Sequence, residues 1–466
     1  MKHKLFHLLY ILLFLGICLT PFLGMAVLGP SEAAANEILA NPPKLTLRDG
    51  SFNMSVADDT EEYIADRFAF RQELVTAWAA LNAKLLHTSV QEQVILGNED
   101  WLFYDSTKDD FMGICADEER IAYGAANLAL MQEYVHSLGG DFTFVIAPNK
   151  NSLYPQYMPD YIPNGTASNA VLLTEQLDAL DVSDTDLFTA FSKQTEVLYF
   201  RTDSHWNGRG AALAADAILN DLGIPSAYFT EDFTLDEAHK GDLYEMLYPA
   251  GTETESDYAP AKGFGFRYDT EPNGGNAIKI ETSCDSATGS LVCWRDSFGI
   301  SLHPYLANRF EKAFFSRSSA YDLTEAAQRE ATAVVIELVE RNLSQLWETP
   351  PMFPAPARSI EVQQTANTSV PVEIGEETDT LVQILVSADH SIADAGSPLY
   401  IAAAGQVYEC CAVFHGDLRQ GSAYIPADLD LTTLSFMGQK DGQLIKYQSG
   451  LKGGSSHTAH NSKQKI

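Results

Sequence analysis

Residues 289–299 read Gly-Ser-Leu-Val-Cys-Trp-Arg-Asp-Ser-Phe-Gly, an apolar run that ends in polar residues before a segment with a helical pattern. The apolar residues 291–294 are typical of a buried strand. A serine at a strand-to-helix turn exposes its hydroxyl at the carboxyl edge of a sheet, and the N–H groups that open the helix can stabilise a developing oxyanion. The pattern therefore predicts that Ser297 is a nucleophile.

A second stretch, residues 197–207, reads Val-Leu-Tyr-Phe-Arg-Thr-Asp-Ser-His-Trp-Asn and predicts a strand that ends beside an acid and a histidine. Residues i and i+2 of an extended backbone point to the same face, so Asp203 can hold the Nδ1–H of His205. Because a serine hydroxyl needs such a base, we interpret Asp203, His205 and Ser297 as a catalytic triad. The simpler interpretations are surface polarity for the Asp-x-His pair and an ordinary helix cap for Asp-Ser.

The segment from residue 101 to about residue 347 alternates between apolar, β-rich runs and helical periods. Its predicted strands include 142–147, 197–200, 291–294 and 333–338, and its predicted helices include 121–138 and 210–222. This order predicts an α/β fold with a parallel sheet flanked by helices. A proline-rich stretch, residues 350–356, marks a boundary, and the short apolar runs between 359 and 447 predict a small all-β module.

The amino terminus carries two lysines, then the uncharged apolar run 8–28, then two glutamates. The run is long enough to span a bilayer, and the charges around it favour a cytoplasmic amino terminus with the rest of the chain outside. A cleaved signal peptide is the rival interpretation, because the alanines at 33–35 suit a signal peptidase. Both interpretations place the bulk of the chain outside the cytoplasm. An uncleaved anchor would make the protein a single-pass protein of the cell membrane.

The sequence therefore divides into five predicted segments. They are an anchor or signal (1–30), a connector with an amphipathic helix over 58–86 (31–100), the α/β domain (101–349), a β-rich module (350–449) and a disordered tail (450–466).

Composition excludes several classes of function. The chain has 30 Lys and Arg against 63 Asp and Glu, a net charge of −33, so a nucleic-acid binder that works through a basic face is excluded. Six cysteines in 466 residues are too few for a disulfide-stapled scaffold, and their spacing does not suit structural zinc. The acidic residues form no cluster with the spacing of a calcium or magnesium site, so we expect neither metal nor cofactor.

Four further residues are candidates for contact with a substrate or oxyanion. Asn149 and Lys150 follow the predicted strand 142–147 and would lie at its carboxyl edge, where open α/β sheets bind ligands. Arg295 is expected to brace the nucleophile turn through an ion pair with Asp296, or else to be solvated. Trp206 could offer an aromatic face to a sugar, although an aromatic residue after a strand is more often core.

Seven short motifs in this order resemble those of the DHHW proteins and the AlgX/AlgJ-type alginate O-acetyltransferases, over roughly residues 36–347. The motifs lie at 66–71 (Asp-Arg-Phe-Ala-Phe-Arg), 96–104 (Leu-Gly-Asn-Glu-Asp-Trp-Leu-Phe-Tyr), 147–150 (Ala-Pro-Asn-Lys), 202–206 (Thr-Asp-Ser-His-Trp), 241–243 (Gly-Asp-Leu), 295–299 (Arg-Asp-Ser-Phe-Gly) and 340–341 (Glu-Arg). Ser204 occupies the second position of the name motif, where the eponymous proteins have a histidine, and we expect little effect because its side chain would point away from Asp203 and His205.

The resemblance implies an SGNH-hydrolase-like domain that works through a serine acyl-enzyme. Ser297 would take an acetyl group, His205 would move the proton, Asp203 would orient His205, and a hydroxyl of a surface or secreted polysaccharide would receive the acetyl group. The family also implies a membrane-bound O-acyltransferase as the acetyl donor. Because the serine follows the Asp-His pair, the domain looks circularly permuted relative to ordinary SGNH hydrolases.

Two other functions remain open from the sequence. A carbohydrate acetylesterase would use the same triad and pass the acetyl group to water, and a non-catalytic glycan-binding or scaffold protein would keep only the fold. The charge of −33 adds one expectation, that the acceptor glycan is neutral or only sparsely charged.

Overall fold

We analysed a computed structural model of the chain, which describes residues 2–32, 39–271 and 275–451. Its first helix, α1 (Lys2–Leu28), includes an apolar stretch over Leu5–Leu28 with a mean hydropathy of 2.5. It is the one helix among the described residues that is long and apolar enough to cross a membrane, and it suits an anchor and a signal sequence equally. The proposed cleavage site at 33–35 and most of the predicted tail, 452–466, lie outside the described residues.

Two helices follow where the sequence predicted one. They are α2 (Val56–Arg67) and α3 (Arg71–Leu86), and the break between them corrects the single helix predicted over 58–86. Phe68 is extended and Phe70 has a left-handed φ of 65°, so the chain turns sharply between the helices. The turn lies against α1, because a Cβ built on Gly24 would be 2.7 Å from the Cβ of Ala69.

The middle of the chain forms the α/β part. In chain order its elements are β1 (Val94–Leu96), β2 (Leu102–Tyr104), α4 (Lys108–Phe111), α5 (Glu118–Ser137), β3 (Asp141–Ala147), α6 (Lys150–Leu153), α7 (Asn169–Ala179), β4 (Asp184–Thr185), α8 (Leu187–Ser192), α9 (Gly208–Asp221), β5 (Phe233–His239), α10 (Asp242–Leu247), β6 (Glu255–Pro260), β7 (Arg267–Tyr268), β8 (Lys279–Ser283), β9 (Ser290–Trp294), α11 (Gly299–Ala307), β10 (Lys312–Ser316), α12 (Thr324–Gln328), β11 (Ala333–Val339) and α13 (Gln345–Glu348).

Seven of these strands form the main sheet, in the order β4-β3-β11-β9-β10-β8-β7. The strands from β4 to β10 run parallel, whereas β8 and β7 add an antiparallel edge that the sequence did not predict. All seven residues of the central strand β11 are buried, which matches its run of Val, Ile and Leu. The two strands next to β11 are β3 and β9, so the segments after these strands meet at one edge of the sheet.

The predicted strand over 197–200 is absent from this sheet. Its residues make only an isolated antiparallel bridge between Tyr199 and Trp206, because the chain doubles back over residues 201–205.

A second sheet of nine strands follows the prolines. Its strands are β12 (Ala357–Arg358), β13 (Gln364–Glu377), β14 (Leu381–Ser387), β15 (Leu399–Ala403), β16 (Gln406–Glu409), β17 (Cys411–His415), β18 (Leu418–Pro426), β19 (Ser435–Lys440) and β20 (Gln443–Leu451). Their pairing is antiparallel except between β13 and β20. The first two residues of the predicted tail, Gly450 and Leu451, belong to β20.

Helix α5 joins the two sheets. The buried side chain of Asn127 donates to the carbonyl oxygens of Leu346 and Ala412, and Tyr123 donates to the carbonyl oxygen of Ser397. The predicted fold class is therefore confirmed: a mixed α/β fold with a mainly parallel sheet, an N-terminal apolar helix and a C-terminal all-β module.

Candidate active site

Ser297 lies in the turn between β9 and α11, at the carboxyl edge of the main sheet. The carboxylate of Asp296 holds this turn in place, because Oδ1 accepts from the N–H of Phe298 at 2.8 Å and Oδ2 accepts from the N–H of Val339 at 2.9 Å. Val339 ends the neighbouring strand β11, so the serine is fixed relative to the central strand. Its side chain is partly exposed, as access by a substrate requires.

Asp203 and His205 lie on a tight turn, whereas the sequence predicted that they follow each other along an extended strand. The backbone N–H of Phe200 donates to the carbonyl of His205 at 3.2 Å, which closes the loop over 201–205. Within it, Asp203 Oδ1 accepts from the backbone N–H of His205 at 2.9 Å and lies 2.7 Å from its Nδ1. The carboxylate thus folds the turn and orients the imidazole at the same time.

The structure brings the three predicted triad side chains into one hydrogen-bonded chain. While Nδ1 of His205 faces Asp203, Nε2 lies 2.9 Å from Ser297 Oγ. A neutral ring that donates its Nδ1–H to the carboxylate has Nε2 free to accept from the serine hydroxyl. This arrangement can take a proton from the serine and stabilise the imidazolium that results.

The second oxygen of Asp203 has its own partners. Oδ2 lies 3.1 Å from Nε2 of His239 and accepts from the N–H of Asp242 at 3.0 Å. Burial alone would raise the pKa of Asp203, but the hydrogen bonds from His205 and His239 outweigh it and hold that pKa well below the usual range. Asp203 is therefore an anion that keeps its charge next to the imidazole of His205.

Asp242 is a site residue to which sequence reasoning gave no role. Its carboxylate accepts from the backbone N–H of Ser204 at 2.7 Å and from the Ser204 hydroxyl at 2.6 Å. Gly241 allows this approach, because a Cβ there would lie 2.3 Å from the carbonyl oxygen of Thr202. The Gly-Asp-Leu motif at 241–243 was the signal in the sequence that could have pointed to Asp242.

The prediction that Ser204 points away from the site is wrong, since its Oγ also lies 3.2 Å from Nδ1 of His205.

The surroundings make His205 a stronger base than an ordinary histidine. Burial lowers its pKa, but the hydrogen bond and negative charge of Asp203 and the charge of Asp242 more than compensate, so the pKa is raised. Asp242 Oδ2 lies 3.6 Å from Nδ1 of His205, which explains its contribution.

Lys150 lies at the predicted edge of the sheet. It was predicted to contact a substrate, but its ammonium is occupied by contacts within the protein. Its buried ammonium donates to the carbonyl oxygens of Phe200, Arg201 and Asp203 at 3.1, 2.9 and 2.6 Å. Burial lowers its pKa to about 8, against the opposing charges of nearby carboxylates. All three donors of the ammonium are used, so Lys150 fixes the turn that carries Asp203 and His205.

Arg295 and Trp206 also depart from their predicted roles. Buried Arg295 donates to the backbone carbonyls of Gly275 and Ala277 at 2.7 and 3.1 Å. The carboxylate of Asp296 instead accepts backbone N–H groups, so the expected ion pair between Arg295 and Asp296 does not form.

Trp206 is a core residue and not a sugar platform. Its Nε1 donates to the Ser301 hydroxyl at 2.8 Å and its side chain is fully buried.

Asn149 follows β3 and is fully buried at the same sheet edge. Its backbone N–H donates to Glu340, but Nδ2 and Oδ1 of its side chain have no hydrogen-bond partner among the described residues. An unpaired buried amide is costly unless a ligand satisfies it.

Among the described residues, Asp203, His205 and Asp242 form the one group that could offer ligands to a cation. One ligand atom each from Asp203, His205 and Asp242 lies within 4.8 Å of the others. Both oxygens of Asp203 and Nδ1 of His205 already make hydrogen bonds, so a cation would displace the donors that fold the turn. The donor set therefore suits proton transfer better than metal binding.

Part of the α/β domain matches a known protein family. Residues 94–279 match the family described as "SGNH hydrolase-like domain, acetyltransferase AlgX". This segment of the chain is therefore similar to the AlgX-type SGNH hydrolase-like domain. The matched residues include Asp203, His205 and Asp242 and end before Ser297.

The relatives of the AlgX-type domain are distant. A probable alginate O-acetylase AlgJ of Pseudomonas syringae pv. tomato is 27% identical over 253 residues, which cover 51% of this chain and 60% of that protein. Among solved structures, the O-acetyltransferase domain of Pseudomonas putida AlgJ has a TM-score of 0.38 and 18% identity over 54% of this chain and 92% of its own. A DHHW family protein from Eubacterium siraeum has a TM-score of 0.39 and 18% identity over 48% of this chain and 86% of its own.

The chain spans about three fifths of the length of the AlgJ protein that it matches. The predicted resemblance to the AlgX/AlgJ-type proteins is confirmed by the family match and by the similarity to this probable alginate O-acetylase.

The contacts of Lys150 lead to a prediction on stability. Lys150→Met removes one buried donor from three carbonyl oxygens, so we expect the free energy of unfolding to fall by about 3 kcal/mol. Denaturant unfolding in mild detergent measures this change. The exposed Lys193 provides the control, since Lys193→Met should change the free energy of unfolding by less than about 0.5 kcal/mol. Equal effects of the two substitutions would contradict the assigned role.

The charges around His205 lead to a prediction on pH dependence. Only neutral His205 can activate Ser297, so the rate at which a sulfonyl fluoride modifies this serine should rise with pH through a midpoint above 6.5, the usual pKa of histidine. Asp242→Asn removes an anion that stabilises the imidazolium, and the midpoint should move to lower pH. Mass spectrometry of the Ser297 peptide measures the rate. The exposed Asp236 gives a matched charge change, and Asp236→Asn should leave the midpoint in place; an unmoved midpoint in Asp242→Asn would refute the prediction.

Proposed function

We propose that this protein is a membrane-anchored, extracytoplasmic O-acetyltransferase that modifies hydroxyl groups of a surface or secreted polysaccharide through a serine acyl-enzyme. The observation that carries the proposal is the hydrogen-bonded chain from Asp203 through His205 to Ser297, with separations of 2.7 and 2.9 Å. The homology to AlgJ/AlgX-like polysaccharide O-acetyltransferases supports the reaction class.

The proposed first half-reaction loads the enzyme. Ser297 Oγ attacks the acetyl carbonyl of the donor while Nε2 of His205 takes its proton. The tetrahedral intermediate collapses when the bond to the leaving group breaks, and the leaving group takes the proton from His205. Asp203 remains charged and stabilises the imidazolium throughout. The unpaired Nδ2 of Asn149 is the side-chain donor that we assign to the developing oxyanion.

The proposed second half-reaction unloads the enzyme. His205 takes the proton of a sugar hydroxyl, whose oxygen attacks the acetyl-serine, and the proton then returns to Ser297 as the ester bond breaks. With water in place of the sugar the same steps give an acetylesterase, so the acceptor decides between the two activities.

The proposed anchor is α1, with the bulk of the chain outside the cell. An acetyl group that arrives through the membrane, from a membrane-bound O-acyltransferase as the family resemblance implies, would then be delivered beside the enzyme. The apolar length of α1 supports the anchor.

Ser297→Ala tests the acyl-enzyme. With an activated acetyl ester as donor and oligosaccharides as acceptors, we expect the native protein to gain the mass of one acetyl group at Ser297 and to release acetylated sugar, and the variant to lose at least about 10³-fold in rate. Ser290 begins the same strand at the opposite edge of the sheet, so Ser290→Ala is the matched control and should keep the activity. Unchanged donor turnover in Ser297→Ala would contradict both the acetyltransferase and the acetylesterase, and it would favour a glycan-binding or scaffold protein. Release of acetate without acetylated sugar would identify an esterase.

The net charge leads to a prediction on the acceptor. The relatives are named as alginate O-acetylases, and alginate is a polyuronate. A chain at −33 should repel a long polyanion at low ionic strength, so we propose a neutral or sparsely charged acceptor glycan. Binding of matched neutral and uronate oligosaccharides at low and high salt measures this preference. Tighter binding of the uronate at low salt would overturn it.

A further inference from the structure

Helix α3 exposes an apolar face that the proposed activity does not use. Four residues spaced by four, three and four positions form it, and we call them the α3 stripe: Leu74, Trp78, Leu81 and Leu85, which are 50, 58, 50 and 69% exposed. This spacing puts them on one side of the helix. A contiguous apolar surface of this kind, with a tryptophan in it, usually marks a contact with a protein or a membrane.

The other side of α3 packs firmly against the α/β part. Ala79 is fully buried in a cluster that includes Leu243 and Leu247 of α10, and the Thr76 hydroxyl accepts from the backbone N–H of Ala250 at 2.9 Å. The helix therefore has a fixed orientation, and the α3 stripe faces outward because the packing of the opposite side requires it.

The beginning of α3 lies against the apolar helix α1. A Cβ on Gly24 would be 2.7 Å from Ala69 and 2.8 Å from the ring of Phe70, the residue that precedes α3. Gly24 is four residues before Leu28, or about 6 Å along the helix axis. The 24 residues of Leu5–Leu28 span about 36 Å, somewhat more than the roughly 30 Å hydrocarbon core. The start of α3 thus lies at the level where a bilayer spanned by α1 would have its outer interface.

We propose that the α3 stripe lies in the outer leaflet of the membrane that α1 spans, with lipid acyl chains as its partner. The inference rests on the proposed anchor. The exposed residues at the two ends of the outer face, Glu73 and Lys84, have opposite charges, so a neutral phosphatidylcholine surface suffices and anionic lipid is not required. Tryptophan at such a boundary is typical of interfacial anchoring.

This contact would fix the height of the catalytic turn above the bilayer. The buried side of α3 packs on α10, and Asp242, the first residue of α10, holds the turn that carries Asp203 and His205. The membrane contact would therefore be linked to the imidazole of His205 through the packing of α3 on α10 and through the carboxylate of Asp242.

Trp78 gives a direct test, because the other four tryptophans are 3% exposed or less. The full chain is reconstituted into phosphatidylcholine vesicles whose acyl chains carry bromine, with the domain facing outward. Brominated lipid should quench part of the tryptophan fluorescence, aqueous acrylamide should not, and Trp78→Phe should abolish the lipid quenching. Ser297→Ala should show the same quenching as the native chain, so failure of the proposed activity leaves this result untouched.

A tryptophan placed elsewhere provides the matched control. Val171 on α7 is 55% exposed, and Val171→Trp in the Trp78→Phe background should be quenched by acrylamide and not by brominated lipid. Quenching of Trp78 by acrylamide alone would overturn the inference. Protection of Trp78 from both quenchers would also overturn the inference, because it would indicate a protein on the α3 stripe. Release of the chain from the vesicles would refute the inference and the proposed anchor together.

Discussion

The buried carboxylate of Asp203 is the interaction on which the site depends. An anion taken out of water is costly unless hydrogen bonds replace its hydration, and both oxygens of Asp203 are supplied with donors from the backbone and from two imidazoles. The donors come from the turn itself, from β5 and from the start of α10. The charge therefore determines how three chain segments meet, and the orientation of His205 follows from that assembly.

The parallel strands of the main sheet were predictable, whereas the tight turn over residues 201–205 was not. Strands β3, β9 and β11 are apolar runs of five to seven residues and appeared in the sequence with nearly correct bounds. The 14-residue strand β13 escaped prediction because its residues are mostly polar and exposed, with Val370 and Val372 as its buried positions. The run 197–200 has the composition of a strand, yet the side chain of Asp203 and the ammonium of Lys150 stabilise a tight turn after it, and such tertiary contacts leave no periodic pattern.

The three residues of the proposed triad have recognisable patterns in the sequence, but the contacts of the residues that support them do not. Ser297 and the Asp-x-His pair have recognisable local patterns, whereas His239 and Asp242 reach Asp203 from a different hairpin and helix. Lys150 and Arg295 were expected at the site because they are charged and lie at strand ends. The structure uses both cations to hold backbone carbonyls: the ammonium of Lys150 donates to three of them, and the guanidinium of Arg295 donates to those of Gly275 and Ala277, although its Nε has no partner among the described residues.

The negative charge of the two carboxylates near His205 would have two opposing consequences for the proposed reaction. Negative charge from Asp203 and Asp242 stabilises the imidazolium, so the ring is a better proton acceptor when Ser297 attacks. The same charge lowers the fraction of neutral imidazole at a given pH. Burial counters this by destabilising the cation, so it opposes the rise in the pKa of His205. In the proposed reaction His205 must take a proton in one step and return it in the next, so opposing influences on its pKa suit a group that has to act as base and then as acid.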